Sequence, residues 1–102
     1  MSKHNVVISP EEFAKRLSEA DVFSFSYKNP FVLACLYYVE GMSTVEMAEL
    51  LGCEQRTIRR YMNYYGLKRF TKDYAFLVKQ YGIKGALSMR KPTFYPLGRH
   101  ND

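Results

Sequence analysis

Residues 44–63, TVEMAELLGCEQRTIRRYMN, constrain this chain more than any other stretch, because they spell out a helix, a stop and a second helix in quick succession. Ser43 and Glu46 form the pattern S-x-x-E, in which the Ser hydroxyl accepts the third amide of the helix and the Glu reaches back to the cap amide. The helix that follows, 44–51, runs about two turns. It places Met47, Leu50 and Leu51 on one face and Ala48 where another helix must come close. Gly52 stops it, since glycine tolerates the left-handed conformation needed at a helix end. The second helix, 55–65, carries Ile58, Tyr61 and Met62 at helical spacing. A bare pair of this kind would leave Met47, Leu51 and Ile58 uncovered. The run FVLACLYYVEG supplies the cover: Asn29 caps it, Pro30 suits its first turn, and Gly41 ends it. Helices at 30–40, 44–51 and 55–65 predict a mainly α fold with a trihelical core.

The flanks add further helices. Ser9-Pro10-Glu11-Glu12 is a second capping box with proline at the first helical position, which predicts a helix over 10–20. Phe13, Leu17 and Ala20 are its apolar stripe, with Lys15, Arg16 and Glu19 directed to water. Residues 22–27, VFSFSY, alternate apolar and polar and read as a short strand or an extended link. Gly66 closes the 55–65 helix and Leu67 folds back behind it. Thr71 caps a helix over 72–81 with Tyr74, Leu77, Val78 and Tyr81 on one face; Gly82 and Gly85 interrupt it before a short helix at 83–90. The tail after Lys91-Pro92 has no helical period. It reads either as an edge strand against 22–27 or 6–8, or as an arm with Arg90, Lys91 and Arg99 along a groove. The length suits one domain, 1–102, divided into an N-terminal helix and link (1–28), a trihelical core (29–67) and a basic C-terminal helix and tail (68–102). A minor short β element fits this plan.

The turn and its neighbours carry a resemblance. Ala48 four residues before Gly52, apolar Met47, Leu51 and Cys53 around the turn, and Ile58 and Tyr61 beyond it resemble the helix-turn-helix of phage and bacterial repressors. The wider string LLGCEQRTIRRYMNYYGLKR is similar to the DNA-binding segments of resolvases, transposases and homing-endonuclease-associated modules. The likeness covers about a third of the chain. Glu54 departs from it, standing where such proteins usually have a small polar cap. The resemblance implies a double-stranded DNA partner, helix 55–65 in the major groove with its N-terminal half against base edges, and a homodimer on two half-sites.

Read on their own, Ala-x-x-x-Gly and its apolar neighbours also describe any short helical hairpin. The outward face of the second helix favours a nucleic acid. Gln, Arg and Asn make bidentate hydrogen bonds to adenine and guanine edges, whereas a solvated helix more often alternates Glu with Lys. Gln55, Arg56 and Arg59 are the candidate base readers. Thr57, Arg60 and Asn63 suit either a base or a phosphate. Ser43 and Thr44 would meet a phosphate at a helix N-terminus. Lys68 and Arg69, with Lys72 beyond them, would be phosphate contacts where the chain leaves the groove.

Charge agrees. Residues 1–51 carry four Lys/Arg against seven Asp/Glu, a net −3, and residues 52–102 carry eleven against three, a net +8. A basic half that begins at the turn is the footprint of a polyanionic partner. The expected function is a sequence-specific DNA-binding transcriptional regulator, a repressor by resemblance. The alternative is a DNA-organising, packaging or partition adaptor that oligomerises on DNA with weak sequence preference. The N-terminal helix, the Phe23/Phe25/Tyr27 run and the helix after Thr71 are candidate dimer surfaces.

Other classes find little support. No Asp/Glu cluster has metal spacing, Ser-rich nucleophile signatures are missing, and His100-Asn101 at the terminus would lack the rigid shell catalysis needs, so no enzyme is expected. His4 and His100 lie far from Cys35 and Cys53, which gives no zinc spacing and no cofactor. The two cysteines, each at an apolar position, read as buried free thiols of a reducing compartment. No small-molecule effector pocket is legible. The N-terminus lacks a secretory apolar core and no stretch approaches a membrane span, so a cytoplasmic protein is expected.

Overall fold

The computed structural model describes residues 8–97. Within them the chain forms α1 (Pro10–Ser18), α2 (Pro30–Ala34), α3 (Thr44–Leu51), α4 (Gln55–Tyr64) and α5 (Lys72–Met89), with a π-helical segment, Cys35–Val39, continuing α2. The mainly α expectation holds, and the bounds of α3 agree with those read from its capping box and glycine.

α1 starts as its sequence dictates, with Ser9 Oγ accepting the Glu12 amide at 3.1 Å and Pro10 in the first turn. It ends at Ser18, two residues early, and buries none of its side chains fully. Leu17 and Ala20 lean on the core from outside it. Arg16 does not face water as expected. Its Nη1 donates to the Tyr64 carbonyl at 2.8 Å, its guanidinium carbon lies 4.5 Å from the centre of the Tyr64 ring, and its Nε pairs with Glu12 at 3.1 Å. The physical reason is that the last carbonyls of α4 lack intrahelical donors, and a guanidinium supplies one while stacking on the ring beside it.

Residues 22–27 form bends rather than a strand. The Asp21 carboxylate accepts the amides of Phe23 and Ser24, each at 3.2 Å, and Asn29 Nδ2 donates to the Ser24 carbonyl at 2.9 Å. Side chains that satisfy the backbone locally remove the need for a strand partner. Asn29 also caps α2, its Oδ1 accepting Phe31 N at 2.9 Å.

The predicted helix 30–40 is regular only as far as Ala34. Beyond it the turns widen, with Glu40 N donating to Cys35 O at 3.0 Å and Met42 N to Leu36 O at 2.9 Å. A wider turn rotates less per residue, so the consecutive Tyr37 and Tyr38 address the same neighbouring segment. The Tyr37 hydroxyl accepts Phe70 N at 2.8 Å, and the Tyr38 hydroxyl donates to the Lys68 carbonyl.

Leu33, Met47, Ile58, Met62 and Tyr74 are the largest fully buried side chains, so α2, α3, α4 and α5 share one core. Leu50 is exposed, against expectation: Met47 and Ala48 already fill the approach of α3 to its neighbours. Tyr81 is exposed too, because Gly82, at φ 77° and ψ 173°, breaks the periodicity of α5, and Ala86 is the buried residue after the kink. Gly41, at φ 72°, lets the turn before α3 approach α5; a Cβ there would stand 3.0 Å from Ile83 Cγ1.

The tail pairs, but not with 22–27. Phe94 forms an isolated antiparallel bridge with Phe70, through Thr71 N to Thr93 O at 2.9 Å and Tyr95 N to Arg69 O at 2.8 Å. The minor β element is this one bridge. Phe70 is sandwiched, its ring 5.0 Å from Tyr37 and 5.2 Å from Phe94, nearly parallel to both. This stacking between aromatic rings leaves Phe70 buried. Residues 6 and 7 as a strand partner, and the arm carrying Arg99, lie outside the described residues.

Burial pushes the phenols of Tyr37, Tyr38 and Tyr65 above the ordinary tyrosine range. Their folded-state pKa is raised, so the stabilisation from keeping them protonated is complete below the unfolded value, about 10, and is lost as pH rises through the folded values. Stability measured by urea unfolding should therefore be insensitive to these groups near neutrality and fall above about pH 10. Tyr38→Phe should flatten that alkaline decline, and an unchanged decline in the variant would remove Tyr38 from the account.

Candidate nucleic-acid interface

α3, the turn at residues 52–54 and α4 are held by local chemistry that the sequence encodes. Ser43 N donates to Glu46 Oε1 at 2.9 Å and Glu46 N to Ser43 Oγ at 3.1 Å, completing the capping box. Gly52 adopts the left-handed conformation, φ 71° and ψ 39°, and its amide and that of Cys53 both turn back to Ala48 O. A Cβ at Gly52 would meet nothing within 4 Å, so its conformation rather than its size requires glycine here. Met47 and Ala48 on α3 and Ile58 and Met62 on α4 are buried together in the core.

The outward side of α4 is basic. Arg56 and Arg60, four residues apart and so on one face, are exposed. Thr57, Arg59 and Asn63 are half-buried around them. Arg59 and Asn63 each take part in an interaction within the protein. No acidic residue occurs from 55 to 72, a span that contains Arg56, Arg59, Arg60, Lys68, Arg69 and Lys72. Glu54, just before α4, is exposed and makes no side-chain cap hydrogen bond. Its carboxylate therefore does not do the capping that a residue at that position commonly does.

Two of the expected contacts face inward. Gln55 Nε2 donates to Thr44 Oγ1 at 2.8 Å, and Thr44 is buried. The expectation that the Thr44 hydroxyl is offered to a phosphate is corrected on this ground: it lies between the N-terminal ends of α3 and α4 and pins one to the other. Gln55 is half-buried, with one amide hydrogen committed to Thr44. Ser43 remains exposed at the start of α3.

Lys68 and Arg69 do not lead the chain away from the core. The Lys68 carbonyl is held by Tyr38, the Arg69 carbonyl by the Tyr95 amide, and the Arg69 guanidinium lies 5.5 Å from the centre of the Tyr95 ring. The Lys68 side chain is exposed and Arg69 is half-buried. The aromatic cluster thus holds the backbone at both residues, and of the two cations it is the Arg69 guanidinium that rests near a ring.

Sequence reasoning missed Arg16 and Lys28. Both line a hollow of about 450 Å³ beside Arg60, Tyr61 and Tyr64, in which Glu19 and Asp21 supply opposing charge. Only the basic last turn of α1 hinted at such a role, and nothing in its spacing pointed to α4. Of the cysteines, Cys53 is half-buried, and burial with the nearby Glu54 carboxylate pushes its thiol up, away from reactivity. Cys35 is exposed, which corrects the expectation of a buried thiol. Among the described residues no group of three or more His, Cys, Asp or Glu is placed to hold a metal ion, and no helix is long and apolar enough to cross a membrane.

Comparisons with protein-family models, with curated proteins and with solved structures found no match to this chain.

Proposed function

We propose that this chain is a sequence-specific double-stranded DNA-binding transcriptional regulator of the helix-turn-helix kind, a cytoplasmic homodimeric repressor that lays α4 in the major groove. The observation that carries the reading is the acid-free outward face of α4, where Arg56 and Arg60 stand exposed on a helix whose opposite side is buried. Exposed guanidiniums on one helix face suit bidentate contacts to guanine O6 and N7. Arg59, Asn63 and Thr57 are half-buried on the same helix, and exposed Ser43 and Lys68 with half-buried Arg69 are the proposed phosphate contacts. Gln55 keeps its amide oxygen for a base while its nitrogen is tied to Thr44. The Gln55–Thr44 bond ties the N-terminal ends of α3 and α4 together, and side chains on packed helices are placed more accurately than those on loops.

Selection of bound sequences from random double-stranded DNA tests this. The expected result is enrichment of a short site with two related half-sites about one helical turn apart or a multiple of that. Binding to all sequences alike, with large assemblies on the DNA, would instead favour the packaging or partition adaptor. Failure to bind DNA at low salt would overturn both readings.

A further inference from the structure

A groove of about 630 Å³ lies between the turn that leads into α3 and the first half of α5. Its size falls within the roughly 300–1,000 Å³ of small-molecule sites, which are mainly apolar with a few placed polar groups. Among its lining residues Tyr37, Phe70 and Val78 are buried and so form its floor, while Val45 and Phe76 are exposed and form its walls. α5 contributes Lys72, Ala75, Phe76 and Lys79, whose spacings of three, four and seven from the first put all four on one helix face. Ala75 stands between the two lysines, where a larger side chain would fill the space. Lysine stems are apolar, so Lys72 and Lys79 extend the walls and carry their ammonium groups to the rim. Among the described residues neither ammonium is engaged in an ion pair. Glu46 is the one acid among the described lining residues, and its Oε1 already accepts the Ser43 amide at 2.9 Å.

We infer that this groove is a binding site for a single-chain amphiphile with an anionic head, of the class of a medium-chain fatty-acid carboxylate. Charge complementarity selects the head. Two ammonium groups at the rim, with the only acid of the lining committed to a helix cap, attract a carboxylate and disfavour a cation. The floor selects the body. A small hydrophilic anion such as phosphate would gain nothing from Tyr37, Phe70 and Val78, whereas an alkyl chain removes its own surface and theirs from water. The Ser43 hydroxyl accepts the Glu46 amide and keeps its proton to donate to the carboxylate. The hollow beside α4 lacks this selectivity, since Glu19 and Asp21 there oppose Arg16, Lys28 and Arg60. Lys72, expected from the sequence to meet a phosphate, is assigned to this carboxylate instead. The inference goes beyond the DNA reading and does not rest on it.

The test titrates dodecanoate, below its micellar concentration, into the full chain without DNA. Calorimetry should show saturable one-to-one binding, and amide chemical shifts should move at residues 41–46 and 70–79. Decanoate, shorter by two methylenes, should bind about tenfold more weakly. Dodecyltrimethylammonium, with the same chain and the opposite charge, should bind at least about tenfold more weakly than dodecanoate. Ala75→Trp should abolish binding by filling the groove, with circular dichroism unchanged because Ala75 is exposed. The double variant Lys72→Glu, Lys79→Glu should reverse the preference and take the cation over the carboxylate, a gain that misfolding cannot imitate. Absence of dodecanoate binding would overturn the inference, as would equal binding of the two head groups. Binding that survives Ala75→Trp, or shifts confined to other residues, would overturn it too. Capture by phosphatidylglycerol vesicles with no binding of the free acid would overturn it in favour of a membrane surface.

Discussion

Replacing Arg56 and Arg60 together by alanine is expected to abolish tight binding to the selected DNA site while leaving the protein folded. The loss should be about two to four orders of magnitude, since each bidentate guanidinium–guanine contact discriminates by roughly 1–3 kcal/mol. Both side chains are exposed on α4, so their removal takes nothing from the core, and urea unfolding of the variant should match that of the unaltered protein. Binding measured side by side on the selected site and on random DNA separates reading from steering. Arg56→Ala should cost far more on the selected site. Lys68→Ala should cost the same on both and lower the slope of log affinity against log salt by about one. Equal losses on both DNAs for Arg56→Ala would assign Arg56 to phosphate. Arg59→Ala is the less clean probe, because Arg59 is half-buried and already engaged within the protein.

The largest effect on stability is expected at Ile58, wholly buried on the side of α4 that meets α2 and α3. Ile58→Ala should lower the free energy of unfolding by about 2–5 kcal/mol, the transfer loss of the deleted carbons plus the cavity they leave. A domain of this size has only about 5–15 kcal/mol in all, so the variant should be partly unfolded well below the melting temperature of the unaltered protein. Leu50→Ala on the exposed side of α3 should change stability by less than about 0.5 kcal/mol. Urea denaturation of the two variants decides the matter. A loss under about 1 kcal/mol for Ile58→Ala would show that the space around it collapses, and that α4 is held mainly by its other contacts.

The helices that begin with a side-chain cap were legible because the cap acts over three residues. Ser9, Asn29 and Ser43 each bond amides of the next turn, and Gly52 ends α3 by its own conformation, so nothing distant has to be known. What was not legible depended on residues far apart in the chain. The π segment is tied to the segment that Tyr37 and Tyr38 reach, residues 68–70, about thirty positions on. Arg16 looked like a solvated charge because its acceptor, Tyr64 O, is a backbone group with no sequence signature. At the candidate interface the basic side of α4 followed from periodicity, which places Arg56 and Arg60 opposite Ile58 and Met62. Periodicity does not tell whether a long side chain points out or bends back, and so it missed Gln55 reaching Thr44. Cys35 was misread for a related reason: a segment apolar on every side gives no indication of which side stays in water.

The bridge between Phe70 and Phe94 ties the two flanks of α5 to each other, with Thr71 and Thr93 hydroxyls 2.5 Å apart beside it. α5 is consequently a loop closed on itself rather than a length of chain stretched between distant anchors. The entropy of closing a loop grows only with the logarithm of its length, and Gly82 sits at the exposed kink with open space around it. Foreign peptide inserted at Gly82 would thus lengthen a loop already shut at its base, leaving α2, α3 and α4 where they are. For protein engineering, that makes the kink the natural port for a reporter or a second domain, and it lies on an element other than the one that carries Arg56 and Arg60.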